Sequence, residues 1–187
     1  MQTRFPGFVD PVLDAQGCFR AVLQAMSRPG TVQDIVAPPE LPPGLSPAAA
    51  AVLLTLVDAT TPLRLAADAE AAAWLRFHCG CPLVSEGAAF VLDPAASLRD
   101  LDAGTDEEPH RSATLILEVA GLAEGAGWRL TGPGIRDAHR LRVAGAPAGF
   151  VAEWALNHAR FPRGVDVVLC AGTRIAALPR SVTVEDA

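Results

Sequence analysis

Ser112-Ala113-Thr114-Leu115-Ile116-Leu117-Glu118-Val119, SATLILEV, is the stretch that decides the fold. It is apolar at nearly every position. It follows neither the alternation of a half-buried strand nor the 3.6-residue period of an amphipathic helix. A short continuous apolar run of this kind reads as a strand buried on both faces, and so a central one. Val165–Ala171 carries a second such run near the other end of the chain.

Working outward, Trp128–Thr131 is expected to pair antiparallel with 112–119 across a Gly-rich reversal at 121–127. Shorter strands are expected at Thr61–Ala66, Ala88–Leu92 and Arg140–Val143. Helices interleave with them. Asp10-Pro11 with Asp14 opens one, in which Phe19, Val22, Leu23 and Met26 recur as a single apolar face until Arg28-Pro29-Gly30 stops it. Residues 37–47 hold five prolines and read as an extended connector. Ser46 at the N-cap and Pro47 at N1 open a nearly all-apolar helix through Val57, which belongs in a core or an interface. Asp68 caps a helix to His78, Ala96–Leu101 reads as a short helix, and Phe150 opens another to about Ala159. The polar tail Val182–Ala187 is expected to fray. Helices and buried strands mixed along one chain define the α/β class. At 187 residues, with no repeat or internal linker, the chain reads as a single domain, 1–187.

Composition narrows the chemistry. Half the residues are hydrophobic, yet the longest apolar run, Pro47–Val57, has 11 residues. A bilayer span needs about 20. The first ten residues, MQTRFPGFVD, lack the apolar stretch of a secretory leader, so the expected location is the cytoplasm, with no membrane partner. The net charge of −6 disfavours nucleic acid as a partner. All 15 cations are arginine. Without lysine there is no Walker A phosphate contact and no pyridoxal-phosphate Schiff base, so no cofactor is expected.

The motifs that carry chemistry are few. His78-Cys79-Gly80-Cys81 is the only His/Cys cluster, and C-x-C without a second pair is not zinc spacing, so no metal is assigned. Gly104–Thr114 packs three acids, a histidine, an arginine and three hydroxyls into a loop at one end of the central strand. Asp106, Glu107 and His110 there suit a cation or acid–base work. The competing reading is a solvated loop in which Arg111 pairs a carboxylate and Ser112 caps a turn. Arg28, Arg111, Arg163 and Arg180 stand beside Pro, Gly or Ser, where guanidinium and backbone N–H groups together suit an anion. In RLTGPGI (129–135) the glycines Gly132 and Gly134 bracket Pro133. That loop either cradles a phosphate or makes a type II turn with Pro at i+1 and Gly at i+2, and the turn is favoured because Pro133 removes a donor. The candidate ligand-binding set is Arg28, Arg111, Ser112, Gly132, Gly134 and Arg180. No catalytic residue is assigned.

Read in order, FRAVLQAMSRPG (19–30), LLTLVDATTPL (53–63), HCG (78–80), GTDEEPHRSATLILEV (104–119), RLTGPGI (129–135), NHARFPRGVD (157–166) and ALPR (177–180) resemble the H-subunit family of the bacterial carbon–phosphorus lyase core complex. That resemblance implies a three-layer α/β/α sandwich with a mixed sheet, like the large domain of pyridoxal-phosphate-dependent transferases but without the cofactor. It implies a homodimer working beside the G, I and J subunits in organophosphonate catabolism, where ATP and a phosphonate yield alpha-D-ribose 1-methylphosphonate 5-triphosphate. The expected role is structural, a docking subunit with no catalytic residues of its own. The alternative is a subunit that binds a phosphate or nucleotide ligand. The 47–57 helix and the 37–47 arm are the expected contact surfaces.

Overall fold

The structure is a computed structural model that describes residues 4–186; the leader reading at the N-terminus falls partly on residues 1–3, and the end of the expected frayed tail on 187, outside the described residues. Among the described residues four α-helices form: α1 (Pro11–Ser27), α2 (Pro47–Leu56), α3 (Ala69–Cys79) and α4 (Phe150–His158). Their starts are set by local chemistry. Asp10 accepts the N–H groups of Val12 and Leu13, Ser46 that of Ala49, and Asp68 those of Glu70 and Ala71, so each side chain satisfies donors that a helix start leaves orphaned. At the other end of α3, Gly80 takes the left-handed conformation at φ 68°.

Among the described residues nine strands make two sheets. Strands β1 (Gln33–Asp34), β2 (Leu63–Leu65), β3 (Phe90–Leu92), β4 (Thr114–Glu118), β7 (Asp166–Ala171) and β8 (Arg174–Leu178) form a mixed sheet in the order β1-β8-β7-β4-β3-β2. Its middle is parallel, β2 to β3 to β4 to β7, and β8 and β1 add antiparallel. As 112–119 predicts, β4 is central. Side chains alternate between two cores. Ile116, Val168, Cys170, Ile175 and Ala177 face residues of α1, α2 and α3. Leu115, Leu117, Val167, Leu169, Ala176 and Leu178 face α4 and a second sheet. That sheet is antiparallel in the order β6-β5-β9, built from β5 (Gly121–Thr131), β6 (His139–Ala144) and β9 (Thr183–Glu185). The molecule is thus a mixed α/β sandwich whose far layer is part helix, part sheet.

Several expectations need correction. Trp128–Thr131 does not pair with β4, whose neighbours β3 and β7 are both parallel to it. The Gly-rich segment 121–127 is not a reversal. It lies inside the 11-residue β5, which pairs with β6 across a bulge between Glu124 and Trp128. Gly125 and Gly127 take φ of 88° and 78°, so the glycines kink one strand where the sequence pattern suggests a turn. The tail is not free either. β9 pairs with β5, and Val182 and Val184 are buried.

Helix α1 buries Cys18, Val22 and Ala25, whereas Phe19 and Leu23 are 51% and 55% exposed. Its apolar residues therefore serve two directions, not one. The α2 helix is core and not interface: Ala48 through Leu53 are all 0% exposed, against β4 and β7 on one side and α1 and α3 on the other.

Candidate functional site

In open α/β sheets ligands bind beyond the carboxyl ends of the parallel strands. Here that edge is filled by the chain itself. Glu118, the last residue of β4, accepts the Ser46 N–H at 2.8 Å, and Ala48 N–H donates to Gly172 O at 2.9 Å. Ala49 N–H goes to Ser46 Oγ. These donors of the α2 N-terminus, which would otherwise suit an anion, are spent internally. The Glu118 carboxylate also lies favourably against the positive end of the helix. Glu118 is the residue that sequence reading missed; an acid at the end of an otherwise apolar strand was its only signal.

The acidic loop 104–114 leads into β4 and so lies at the amino end of the strands, opposite the usual ligand edge. It is held by its own contacts. Asp106 pairs with Arg163 at 3.1 Å, Glu108 with Arg111 at 3.1 Å, and Asp102 accepts the Gly104 N–H. Among the described residues no cluster of three or more His, Cys, Asp and Glu side chains is placed to hold a metal ion. The solvated-loop reading fits this geometry, with Arg111 as the pairing cation. Ser112 is 8% exposed and its hydroxyl has no hydrogen-bond partner among the described residues.

Arg180 is committed to structure. Its guanidinium binds both carboxylate oxygens of Asp166, its backbone N–H adds a third bond at 2.7 Å, and Nη1 donates to Pro109 O at 2.6 Å. The pair is 15% and 21% exposed, and it ties the start of β7 to the 3-10 turn at Pro109–Arg111. Arg111, Ser112 and Arg180 thus form one group at the amino edge.

Arg28, Gly132 and Gly134 belong elsewhere. RLTGPGI makes the expected type II turn: Ile135 N–H donates to Gly132 O at 3.1 Å, and Gly134 sits at φ 80°. A Cβ on Gly134 would lie 2.2 Å from Ser27 O, so this turn is seated on the SRPG terminus of α1. A Cβ on Gly132 would lie 3.1 Å from Ser181 O. The turn therefore bridges from Arg28 to the chain just beyond Arg180, and the six residues form two groups and not one pocket.

The cysteine cluster does not converge. His78 Nε2 lies 3.2 Å from Phe5 O, while Cys79 Sγ–H points to Leu53 O at 3.9 Å. Burial, with a smaller contribution from Cys81, pushes the Cys79 thiol up to about 12. Burial likewise raises Cys18, Cys81 and Cys170. A metal ligand or nucleophile is a thiolate, so this environment opposes both roles.

The fold and its charges define an α/β sandwich whose motif residues mostly hold the chain together. The chain belongs to the bacterial phosphonate metabolism protein family (PhnH), whose family model matches residues 6–185. It is 35% identical over 187 residues to the alpha-D-ribose 1-methylphosphonate 5-triphosphate synthase subunit PhnH of Rhizobium meliloti, covering 95% of this chain and 94% of that protein. It is also 35% identical over 169 residues to the putative C-P lyase subunit protein HtxG of Stutzerimonas stutzeri, covering 89% of this chain and 83% of that one.

Proposed function

We propose that this chain is a docking subunit of the carbon–phosphorus lyase core complex, acting in the formation of alpha-D-ribose 1-methylphosphonate 5-triphosphate from ATP and a phosphonate. The observation that carries this reading is end-to-end similarity to a named synthase subunit, over 95% of one chain and 94% of the other. The partners are the G, I and J subunits and a second copy of the chain, in the cytoplasm. The sandwich is read as the large domain of a pyridoxal-phosphate-dependent transferase that works without the cofactor, because this chain supplies no lysine for the Schiff base.

The contact surface proposed is α1 and its approach. Of the nine large hydrophobic residues exposed among those described, five lie here: Val9, Val12, Leu13, Phe19 and Leu23. Val12, Phe19 and Leu23 are seven and four apart and share one side of the helix. Contiguous apolar surface of this kind marks an interaction site on a soluble domain. The test is co-expression with the G, I and J subunits. The tagged chain is expected to retain them, and F19E/L23E to lose them while melting as the parent does. Retention of none by the parent chain, with growth on methylphosphonate intact after deletion, overturns the docking role.

A further inference from the structure

We propose that the cleft between the C-terminus of α1 and the β5–β6 connection is a binding site for a small phosphoryl oxyanion. The cleft has a volume of about 270 Å³ and is lined by Arg28, Thr31, Gly134, Arg136, Asp137 and His139, among others. Arg28 and Arg136 reach it from different elements. Neither guanidinium has a hydrogen-bond or acidic partner among the described residues, a state they share with other exposed arginines such as Arg142 and Arg174, so what sets them apart is that both line one cleft. Two guanidiniums on one cleft offer the planar forks of donors that suit a tetrahedral oxyanion.

The cleft is built by two glycines that only this close approach requires. Gly134 at φ 80° would put a Cβ 2.2 Å from Ser27 O and 3.0 Å from Pro29 Cδ. Gly30 at φ 90° would put one 2.7 Å from His139 Cδ2. The two turns therefore interlock, and Arg28 and Arg136 line the same cleft.

Part of the opposing charge is engaged elsewhere. The Glu124 carboxylate accepts the Val32 N–H at 2.8 Å and lies 3.3 Å from His139 Nε2, off the hydrogen-bond direction, so it is held against its own neighbours. At the negative end of α1, Gln24 O accepts from Arg28 N–H and Ser27 Oγ; just beyond it Arg28 O accepts from the Thr31 N–H and hydroxyl, and Ser27 O packs against Gly134. Asp137 is the remaining acid on the cleft, against two free cations. The volume lies just below the ~300–1,000 Å³ of ordinary ligand pockets, which fits a small phosphorylated or phosphonate molecule and not a nucleoside triphosphate. This site stands apart from the docking role and does not depend on it.

The experiment is thermal unfolding and calorimetric titration of the full chain with inorganic phosphate, at ionic strength held constant with chloride, and with acetate as a second arm. Saturable phosphate binding is expected, with acetate weaker. R28A/R136A is expected to keep the parent melting temperature in chloride and to bind phosphate at least about tenfold more weakly, the loss of charge-assisted bonds. R142A/R174A, which removes two other exposed arginines, should bind as the parent does. Parent-like phosphate affinity in R28A/R136A, equal loss in R142A/R174A, or no phosphate binding by the parent at millimolar concentration each overturns the site. Tighter acetate than phosphate binding overturns the phosphoryl assignment. Retention of the other subunits is read separately by co-expression, so failure here and failure of the docking role are distinct results.

Discussion

Single residues in this chain act through the approach they permit or the charge they neutralise. Gly134 and Gly87 both have positive φ, 80° and 67°, but nothing lies within 4 Å of a Cβ on Gly87. Gly87→Ala should therefore cost only the left-handed backbone penalty, about 1 kcal/mol. Gly134→Ala also collides with Ser27 O and should cost about 3 kcal/mol. Chemical denaturation of the two variants checks the difference, and equal costs would refute the interlocked turns. Asp166→Asn should lose about 2 kcal/mol, because Arg180 stays poorly exposed while its carboxylate partner is gone.

The cysteines set a pH limit. Cys79 is pushed up to about 12 from 9.0, so the native state keeps a proton that the unfolded chain has shed. The resulting stability is complete below pH 9 and is lost as pH rises from 9 toward 12, with a slope of up to about 1.4 kcal/mol per pH unit for each such thiol. Denaturant midpoints at pH 8 and pH 10.5 measure it. A midpoint that holds or rises would contradict the burial of these thiols.

At the level of elements, α2 is the helix around which the near core packs. Leu53→Ala at 0% exposure should cost about 3 kcal/mol through lost transfer energy and the cavity left behind. Ser46→Ala should cost about 1 kcal/mol or more, since the side chain caps α2. Helix starts of this kind were legible in the sequence: Asp10, Ser46 and Asp68 act within three residues of themselves, so no distant contact is needed to read them. The direction in which a helix is buried was less legible. Phe19 and Leu23 share hydrophobicity with Val22, and only packing against α2 and β8 decides which of them is covered. β5 was misread for a related reason. Gly125 and Gly127 suit a turn and a bulge equally well, and the choice depends on β6 lying alongside.

For the whole molecule, the last residues close the far layer. Trp154 Nε1 donates to Val182 O at 2.8 Å, and Val184, on β9 of the second sheet, is buried in the far core. A chain ending at Ser181 should therefore melt on the order of 10 °C lower, from the lost burial of two valines and the β9 pairing. An unchanged melting temperature would restore the frayed-tail reading. Of the candidate site, Arg28, Arg111, Ser112, Gly132, Gly134 and Arg180 were visible as motifs but not their company, and Glu118 and Arg136 were not singled out. Arg180 reads as a free turn arginine until Asp166, 14 positions away, is found beside it. Arg28 and Arg136 are more than a hundred residues apart, and two glycine turns bring them together. By itself the sequence determined the α/β class, the central strand, the helix caps, the lack of any lysine chemistry and the family, because these depend on local pattern, composition and ordered motifs. Only the tertiary structure decided the second sheet, the filled carboxyl edge, the apolar stripe left on α1 and the two separate groups of arginines. Strand partners, burial and ion pairing are properties of residues distant in the chain, and no local period encodes them.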